Sequence, residues 1–282
     1  GLGNQFLGNI RETDAILHVL RCFDNDNIIH VDGNVDPIRD KETIDIELQL
    51  KDLETVDKKL EKVKRSSRTG NKEAQKEEAV LIKIKDGLEQ GVSLRAIEIS
   101  DKDREEFVTP LQFITDKPVM YVCNVDEGSA VSGNDYVEKI KEAVKNENAE
   151  VIVLAVGTEA DITELDDFEE RQLFLADIGL AEAGVSRLVR SAYKLLNLQT
   201  YFTAGVKEVR AWTINVGSTA PQAAGVIHTD FEKGFIRAET ISYEDYIAFG
   251  SEAKVKEAGK MRVEGKEYIV KDGDVMHFRF NV

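Results

Sequence analysis

Cysteine and long apolar runs are the first things missing from this chain. Its 282 residues include two cysteines, Cys22 and Cys123, each inside a short apolar run. That placement is typical of buried thiols in a reducing cytoplasm and not of a disulfide or a metal pair. No apolar run approaches the roughly 18 residues needed to cross a bilayer, and no signal peptide is visible. We therefore expect a cytoplasmic protein with no membrane contact and no metal-ligating residues in this chain.

Positive charge is scarce as well. Lys and Arg number 37 against 53 Asp and Glu, so the formal net charge is −16. Such a surface repels nucleic-acid phosphates on average, so DNA is not expected as a partner and RNA requires a local basic patch. One basic stretch flanks a polar turn at 66–71: Lys58, Lys59, Lys62, Lys64, Arg65, Arg68, Lys72 and Lys76. It is either a solvated helix tip or a contact for RNA or a ribosome.

A phosphate-binding loop is the third feature that is not found. The pattern G-x-x-x-x-G-K-[ST], whose backbone amides hold nucleotide phosphates, does not occur in the sequence. The chain opens with Gly-Leu-Gly-Asn, without Met and without a helix start of its own. We expect that an N-terminal segment is missing from this sequence, and that the chain by itself is inactive as an enzyme.

Apolar and amphipathic segments alternate in the order of a parallel α/β domain. Buried strands are predicted at 16–23, 118–123 and 150–156, and helices at 4–15, 134–146, 162–178 and 181–196. Since residues 17–20 show no polar alternation, the first strand should be covered on both faces, with His18 as a core histidine.

Between about residues 44 and 114 the pattern changes to helices. Apolar residues recur at spacings of three and four from about residue 43 to 63, and again over 72–89. The polar break at 66–71 predicts an antiparallel helical hairpin inserted into the α/β domain. A third helix is predicted at 101–113, with Ser100 at its start.

The last part of the chain has a different pattern of short strands and short helices. Strands are predicted at 209–216 and 275–282, and short helices at 243–249 and just after Thr219, with Pro221 in the first turn. This predicts a compact mixed domain of the β-grasp kind.

The loop after the second strand is where a nucleotide base could be read. Asn124-Val125-Asp126-Glu127 is similar to the Asn-Lys-x-Asp loop with which GTPases read guanine, but Val replaces Lys and Glu replaces Asp. The longer carboxylate cannot take the same place, and a mispaired buried polar group costs about 1–3 kcal/mol. Guanine selectivity should therefore be lost. The alternative to a nucleotide contact is that Asn124 and Glu127 are ordinary loop caps.

Longer segments of the chain resemble those of a known protein family. They are GNQFLGNIRETDA at 3–15, RCF at 21–23 and NIIHV at 27–31, and later in the chain LNLQTYFTAGVKEVRAW at 196–212, HTDFEKGFIRAE at 228–239 and DGDVM at 272–276. They are similar to the YchF-type Obg-like ATPases, in which the first group follows switch II and the second belongs to a C-terminal TGS domain. The resemblance implies a partial Ras-like parallel-sheet nucleotide domain at 1–43 and 115–197, a helical insertion at 44–114, and a TGS domain at 198–282.

The same resemblance implies an activity and its residues. The family binds and hydrolyses ATP with Mg²⁺, whose ligands are expected in the missing N-terminal segment, and acts in translation or stress responses. Asn124 would brace the base loop, Val125 would lie against the base, and Glu127 or the neighbouring backbone would face the adenine edge. A second base loop would use the backbone amides of Ala155, Val156 and Gly157.

His30 is the catalytic residue that the resemblance implies. Classical GTPases orient the attacking water with a Gln that this family lacks. A neutral imidazole can accept a proton or hold a water near pH 7, so His30 is a chemically suitable substitute. The alternative is a surface histidine at the end of a strand.

Three functions stay open on this reading. The first is a regulatory ATPase that converts ATP and water to ADP and phosphate. The second is a non-catalytic module that binds a ribosome, RNA or a protein through the hairpin and the TGS domain. The third is an interaction protein without a working nucleotide site.

Overall fold

The computed structural model describes residues 2–147, 149–205 and 208–281. The chain divides into two compact units, Gly1–Ala192 and Tyr193–Val282. Three residues of the segments and strands named above, Val206, Lys207 and Val282, lie outside the described residues. In the described part of the chain, no helix combines the length and the apolar character needed to span a membrane.

The first unit is built on a three-stranded parallel sheet. Its strands are β1 (Ile16–Arg21), β2 (Val119–Asn124) and β3 (Glu150–Leu154), with β2 in the middle. Every residue of β2 before Asn124 is buried, as expected for a central strand of a parallel sheet. The parallel α/β prediction is confirmed, and the carboxyl ends of all three strands meet at one edge.

The first strand differs from its prediction, since it is covered on one face. Leu17 and Val19 are 43% and 60% exposed, whereas His18 is half-buried with its ring centroid 5.6 Å from that of Tyr121. Burial lowers the pKa of His18. β1 is an edge strand, and side chains alternate between faces along a strand, so an apolar run does not by itself prove cover on both sides.

Helices pack around this sheet, and several of their boundaries differ from the predictions. The helices outside the insertion are α1 (Leu2–Arg11), α5 (Asp135–Val144), α6 (Val156–Glu164), α7 (Phe168–Asp177) and α8 (Gly184–Leu195). The third strand ends at Leu154, and Val156 already begins a helix. The single helix predicted at 162–178 is two, because Leu165 and Asp167 adopt extended backbone between α6 and α7.

The insertion is an antiparallel hairpin of α2 (Pro37–Arg68) and α3 (Lys72–Glu89). α2 begins earlier than predicted, because the Asp36 carboxylate caps it and Pro37 fits the first turn, where its missing N–H costs nothing. The bounds of α3 are confirmed, and Asn71 caps its start. Apolar side chains from both helices form one core: Val56, Leu60, Val63, Ala74, Leu81, Ile84 and Leu88.

Residues 101–113 do not form the single helix that was predicted. The chain makes a short helix α4 (Asp101–Asp103), a wide turn over Arg104–Val108 and a tight turn over Thr109–Leu111. Pro110 has no N–H to donate, and Gln112 has a left-handed φ of 49°, which ends the run. The start at Ser100 is as predicted, since its hydroxyl accepts the Asp103 N–H at 3.2 Å.

The second unit is a five-stranded mixed sheet in the order β5-β4-β8-β6-β7. The strands are β4 (Leu198–Ala204), β5 (Val209–Asn215), β6 (Phe235–Ile241), β7 (Arg262–Glu264) and β8 (Val275–Phe280). Four helices accompany them, α9 (Ala220–Ile227), α10 (Thr229–Lys233), α11 (Tyr243–Phe249) and α12 (Glu252–Glu257). α9 places Ala220, Ala223 and Ala224 in the core with Tyr201 and Met276, which matches the β-grasp expectation.

Candidate functional site

The candidate site is the carboxyl edge of the parallel sheet, where β2 and β3 run into loops. Asn124 is the last residue of β2, and its Oδ1 accepts a hydrogen bond from the Val156 N–H at 3.1 Å. The Val125 N–H donates to the Leu154 carbonyl at 2.9 Å. These two bonds hold the loop after β2 against the start of α6, so the two base loops expected from the sequence are neighbours.

Asp126 shapes the first of these loops, although the sequence reasoning gave it no role. Its carboxylate accepts the Ser129 N–H at 3.0 Å and caps the tight turn Glu127–Ser129. Aspartate before such a turn is ordinary loop chemistry, and that signal was available in the sequence. Glu127 opens the turn and is exposed, so its carboxylate is accessible to a ligand.

The Val125 side chain faces the protein core and not the solvent. It is 3% exposed and belongs to the core, together with Cys123 and Ala155. This burial argues against the expected contact of its side chain with a base, because almost none of its surface can reach a ligand. Its packing instead supports the loop from below.

The second loop offers backbone rather than side chains. Ala155 is buried, whereas Val156 and Gly157 are exposed at the first turn of α6. The Val156 N–H is engaged by Asn124, as described above. The first N–H groups of a helix have no partner within it, so the Gly157 amide is available in geometry for a ligand acceptor.

A glutamate behind the second loop fixes α6 to α8. The Glu159 carboxylate accepts the Gly184 N–H at 2.7 Å and the Val185 N–H at 3.2 Å. A Cβ on Gly184 would lie 2.1 Å from Leu154 Cδ2, so only glycine allows this close approach. No pattern in the sequence pointed to either residue, because the contact joins segments far apart in the chain.

Two thiols lie beneath the loop that follows β2. Cys22 and Cys123 are free and fully buried, which confirms the expectation of buried thiols. The hydrogen bond between the two side chains, together with burial, raises the pKa of the Cys22 thiol. The Asn134 amide donates to the Cys22 carbonyl at 2.8 Å and ties the start of α5 to the end of β1.

His30 lies in the loop between β1 and α2, where residues 28–31 are irregular and do not form a strand. Its Nε2 is 2.9 Å from Asp40 Oδ2, and its Nδ1 accepts the Asp32 N–H at 3.2 Å. The imidazole is 17% exposed. His30 is therefore partly buried and held by two partners, unlike the surface histidine of the alternative reading.

Arg21 organises the loop that carries His30. It is the last residue of β1, opposite Asn124 in the sheet register. Its guanidinium donates to three backbone carbonyls, those of Phe23 at 3.1 Å, Asn25 at 3.3 Å and Ile28 at 2.9 Å. The loop encloses an open cavity of about 500 Å³ lined by Arg21, Asp24, Asp26, His30 and Tyr136, among others.

The histidine cluster does not suit a magnesium ion. Ligand atoms of His30, Asp32 and Asp40 lie within 4.8 Å of one another. The Arg39 guanidinium is 3.5 Å from Asp32 and 3.3 Å from Asp40, so a positive charge already occupies the neighbourhood of both carboxylates. A second cation would be repelled, and Mg²⁺ prefers oxygen ligands in any case.

A buried ion network joins α2 to the sheet. Lys41 Nζ is 2.6 Å from Asp45 and 2.8 Å from Glu147, and the Tyr121 hydroxyl donates to Glu147 at 2.6 Å. Burial opposes the charge on Lys41, but its two carboxylate partners prevail and raise its pKa. Burial likewise opposes ionisation of Glu147, and the hydrogen bonds from Lys41 and Tyr121 outweigh it, so its pKa is lowered.

The basic cluster divides into paired and unpaired members. Lys59 pairs with Glu77 at 2.7 Å and Lys76 pairs with Asp103 at 3.3 Å. No ion pair within the described residues involves the exposed members nearest the turn, which we call the hairpin tip: Lys62, Lys64, Arg65, Arg68 and Lys72. The end of the hairpin therefore carries uncompensated positive charge on an acidic protein.

The sequence matches proteins that carry a common name. A family model, YchF-GTPase_C, described as a protein of unknown function (DUF933), matches residues 198–281. Relatives from Escherichia coli O157:H7 and Bacillus subtilis, both named ribosome-binding ATPase YchF, are 56% and 51% identical over the whole chain, which covers 77% of each. The chain belongs to the YchF family.

Solved structures agree with this YchF assignment. The YchF GTPase of Schizosaccharomyces pombe superposes with a TM-score of 0.85 at 38% identity, covering 99% of this chain and 75% of that one. A GTP-binding protein from Pyrococcus horikoshii OT3 superposes with a TM-score of 0.61 at 18% identity, which supports the fold alone. The expected Ras-like domain followed by a C-terminal domain is confirmed. The names of the YchF relatives differ on the nucleotide, ATPase in one case and GTPase in the other.

Proposed function

We propose that this YchF-family protein binds and hydrolyses ATP, with Mg²⁺, in a cytoplasmic cycle linked to the ribosome. The observation that carries the proposal is the hydrogen bond from Val156 to Asn124. It joins the two loops at the carboxyl edge of the sheet, the usual ligand edge of such folds, with Glu127 exposed beside them. The Asn-x-x-Glu loop is the altered form of a guanine-reading loop.

The proposed base contacts use one side chain and one backbone group. Glu127 would accept from the exocyclic amino group of adenine, and the Gly157 N–H would donate to a ring nitrogen. Asn124 and Val125 would hold the two loops without touching the base. Guanine carries an N–H where adenine carries an acceptor, so a donor such as the Gly157 amide would face a second donor, at a cost of about 1–3 kcal/mol.

His30 is the proposed holder of the attacking water. Its imidazole lines the open cavity beside the end of β1 and is fixed by Asp40 and Asp32. The Mg²⁺ that accompanies ATP would stabilise charge on the phosphates. The cluster around His30 does not fit that ion, so we assign no residue of this chain as its ligand.

Nucleotide preference is the direct test. Steady-state hydrolysis of ATP and GTP by the complete protein should give at least about tenfold higher kcat/KM for ATP, the ratio expected from about 1.4 kcal/mol. Glu127→Asp restores the shorter carboxylate and should raise GTP turnover relative to ATP. Equal or better turnover of GTP by the unchanged protein would refute the base-reading argument. If the protein neither binds nor hydrolyses ATP or GTP, the result would favour the interaction-protein alternative.

A second function is favoured by the charge at the hairpin tip. Five exposed basic residues there have no ion-pair partner within the described residues, on a chain with a net charge of −16. Phosphates of ribosomal RNA are the chemistry that such a surface attracts. Ribosome binding through the tip, with the TGS domain as a further contact, is compatible with the ATPase in one protein, since the nucleotide could gate binding.

A further inference from the structure

The carboxylate of Asp40 is hydrogen-bonded to the imidazole of His30. Asp40 lies in the first turn of α2, and its Oδ2 is 2.9 Å from His30 Nε2. Both side chains are largely withdrawn from solvent, at 17% exposed for His30 and 26% for Asp40. A hydrogen bond shielded in this way fixes the ring more firmly than an exposed pair would.

We propose that Asp40 is a positioning residue for ATP hydrolysis, which orients the His30 imidazole and balances the positive charge that the ring gains. The proposal rests on the ATPase function above, in which His30 holds the attacking water. Asp40 would act through His30 and would not touch the nucleotide. A carboxylate that orients a histidine base is a recurring arrangement in enzymes that activate an oxygen nucleophile.

The two contacts of the ring select one nitrogen as the proton acceptor. A carboxylate only accepts and a backbone N–H only donates, so the neutral ring carries its proton on Nε2, facing Asp40. Nδ1 therefore holds the lone pair, and the Asp32 N–H occupies it at 3.2 Å. For catalysis, the water must replace this N–H at Nδ1. The Asp32 N–H belongs to a turn that is closed by a hydrogen bond of 3.0 Å from the Gly33 N–H to the His30 carbonyl.

The proton then has a defined path. The water oxygen bonds to the γ-phosphorus, and the bond from that phosphorus to the bridging oxygen breaks, so that ADP leaves with the electron pair. The proton lost by the water is taken up at Nδ1 of His30. The ring becomes an imidazolium whose Nε2–H still donates to Asp40, so the new charge lies beside a carboxylate.

Asp40 is itself held from its other side. Its Oδ1 lies 3.3 Å from Arg39 Nη2, and Arg39 is in turn fixed by Asn34, through the side-chain oxygen at 3.0 Å and the carbonyl at 2.8 Å. Both carboxylate oxygens of Asp40 therefore have partners. The cap of α2 at Asp36 fixes the backbone of this turn, so the carboxylate is set in place before a nucleotide arrives.

Other charged groups also face the ring, but none replaces Asp40. Asp32 and Arg39 lie next to it, and the cavity walls add Arg21, Asp24, Asp26 and Tyr136. The Arg21 guanidinium donates its hydrogen bonds to backbone carbonyls, and the Tyr136 hydroxyl donates to the exposed Asp24 at 3.1 Å. Exposed charges are screened by water and salt, so loss of the Asp40 charge should have the largest effect on the ring.

The experiment measures ATP hydrolysis by the complete protein across pH for four variants: Asp40→Asn, His30→Ala, the double variant and Glu42→Gln. Asp40→Asn should lower kcat by roughly 10- to 100-fold with little change in KM, and should move the acid limb of the pH–rate profile to lower pH. The double variant should be no slower than His30→Ala, since Asp40 acts through His30. Glu42→Gln makes the same charge change on an exposed residue of the same helix and should keep the kcat of the unchanged protein.

Two further measurements make the outcome decisive. Asp40→Glu keeps the charge and should recover part of kcat, and long-range ¹H–¹⁵N spectra of the His30 ring in the unchanged protein should show the Nε2–H tautomer. A slow His30→Ala with an unimpaired Asp40→Asn would overturn the role of Asp40 alone. Full turnover by His30→Ala would overturn the catalytic role of both residues. An Nδ1–H tautomer in the unchanged protein would also overturn the proposal, whatever the rates, because Nδ1 could not then take up the proton.

Discussion

At the scale of single residues, the candidate site depends on side chains that bridge separate segments. Asn124 was recognisable in the sequence because it ends an apolar strand in an Asn-x-x-Glu pattern. Its hydrogen bond to Val156, 32 residues away, was not recognisable, because it depends on the parallel pairing of β2 and β3. Glu159 and Gly184 were missed for the same reason.

Gly184→Ala is expected to destabilise the first unit. The added methyl would lie 2.1 Å from Leu154 Cδ2 and 2.7 Å from Glu159 Oε1, and overpacking of this kind costs about 1–3 kcal/mol. Urea denaturation would measure the free energy of unfolding. Gly8→Ala is the matched control, since that helical glycine has nothing within 4 Å of an added Cβ. Equal unfolding free energies for both variants would contradict the close approach.

At the scale of secondary-structure elements, α2 is the longest helix and connects two candidate functions. It begins beside His30, with Asp40 in its first turn, and ends after 32 residues at the basic tip. Asp52 anchors it midway, where its fully buried carboxylate accepts the N–H groups of Ile114 at 3.0 Å and Thr115 at 2.7 Å. Burial raises the pKa of Asp52. Periodicity predicted the hairpin, and the Asp-Pro start of α2 was a signal that the periodicity did not use.

Charge reversal at the hairpin tip should abolish ribosome co-sedimentation. The variant replaces Lys62, Lys64, Arg65 and Arg68 with Glu, which removes the attraction to RNA phosphates and adds repulsion. Its control exchanges Lys for Arg and Arg for Lys at the same positions, which keeps the charge and should preserve binding. Pelleting that is unchanged in the reversed variant would show that another surface makes the contact.

At the scale of the whole molecule, the large excess of acidic groups has to be compatible with a stable fold. A net charge of −16 is compatible with a stable fold because many carboxylates have a basic partner or a hydrogen-bond donor. The network of Lys41, Asp45, Arg95, Tyr121 and Glu147 is one largely shielded example. It links four segments of the first unit that lie far apart in the sequence.

Glu147→Gln should reduce stability at neutral pH and make the acid side of the stability curve shallower. The pKa of Glu147 is lowered in the folded state, so its ionised form contributes stability above the ordinary value of 4.5, and that contribution is lost as pH falls through the folded-state pKa. The deficit at pH 7 should be about 1–3 kcal/mol and should shrink as the pH falls below 4.5.

Chemical denaturation at several pH values measures that difference. Glu142→Gln, an exposed glutamate paired with Lys145, is the control and should change stability by less than about 0.5 kcal/mol. A Glu147→Gln deficit that is the same at both ends of the pH range would rule out a contribution from the ionised carboxylate.

The amino-acid sequence alone determined the α/β order, the helical hairpin, the buried thiols and the Asn-x-x-Glu pattern at the end of β2. Each of these depends on periodicity or on neighbouring residues. Tertiary structure alone decided that Val125 faces the core, that β1 is covered on one face, and that Asp40 stands behind His30. The physical reason is that burial and hydrogen-bond partners depend on which segments pack together, and strand pairing and helix capping bring together residues that no local pattern connects.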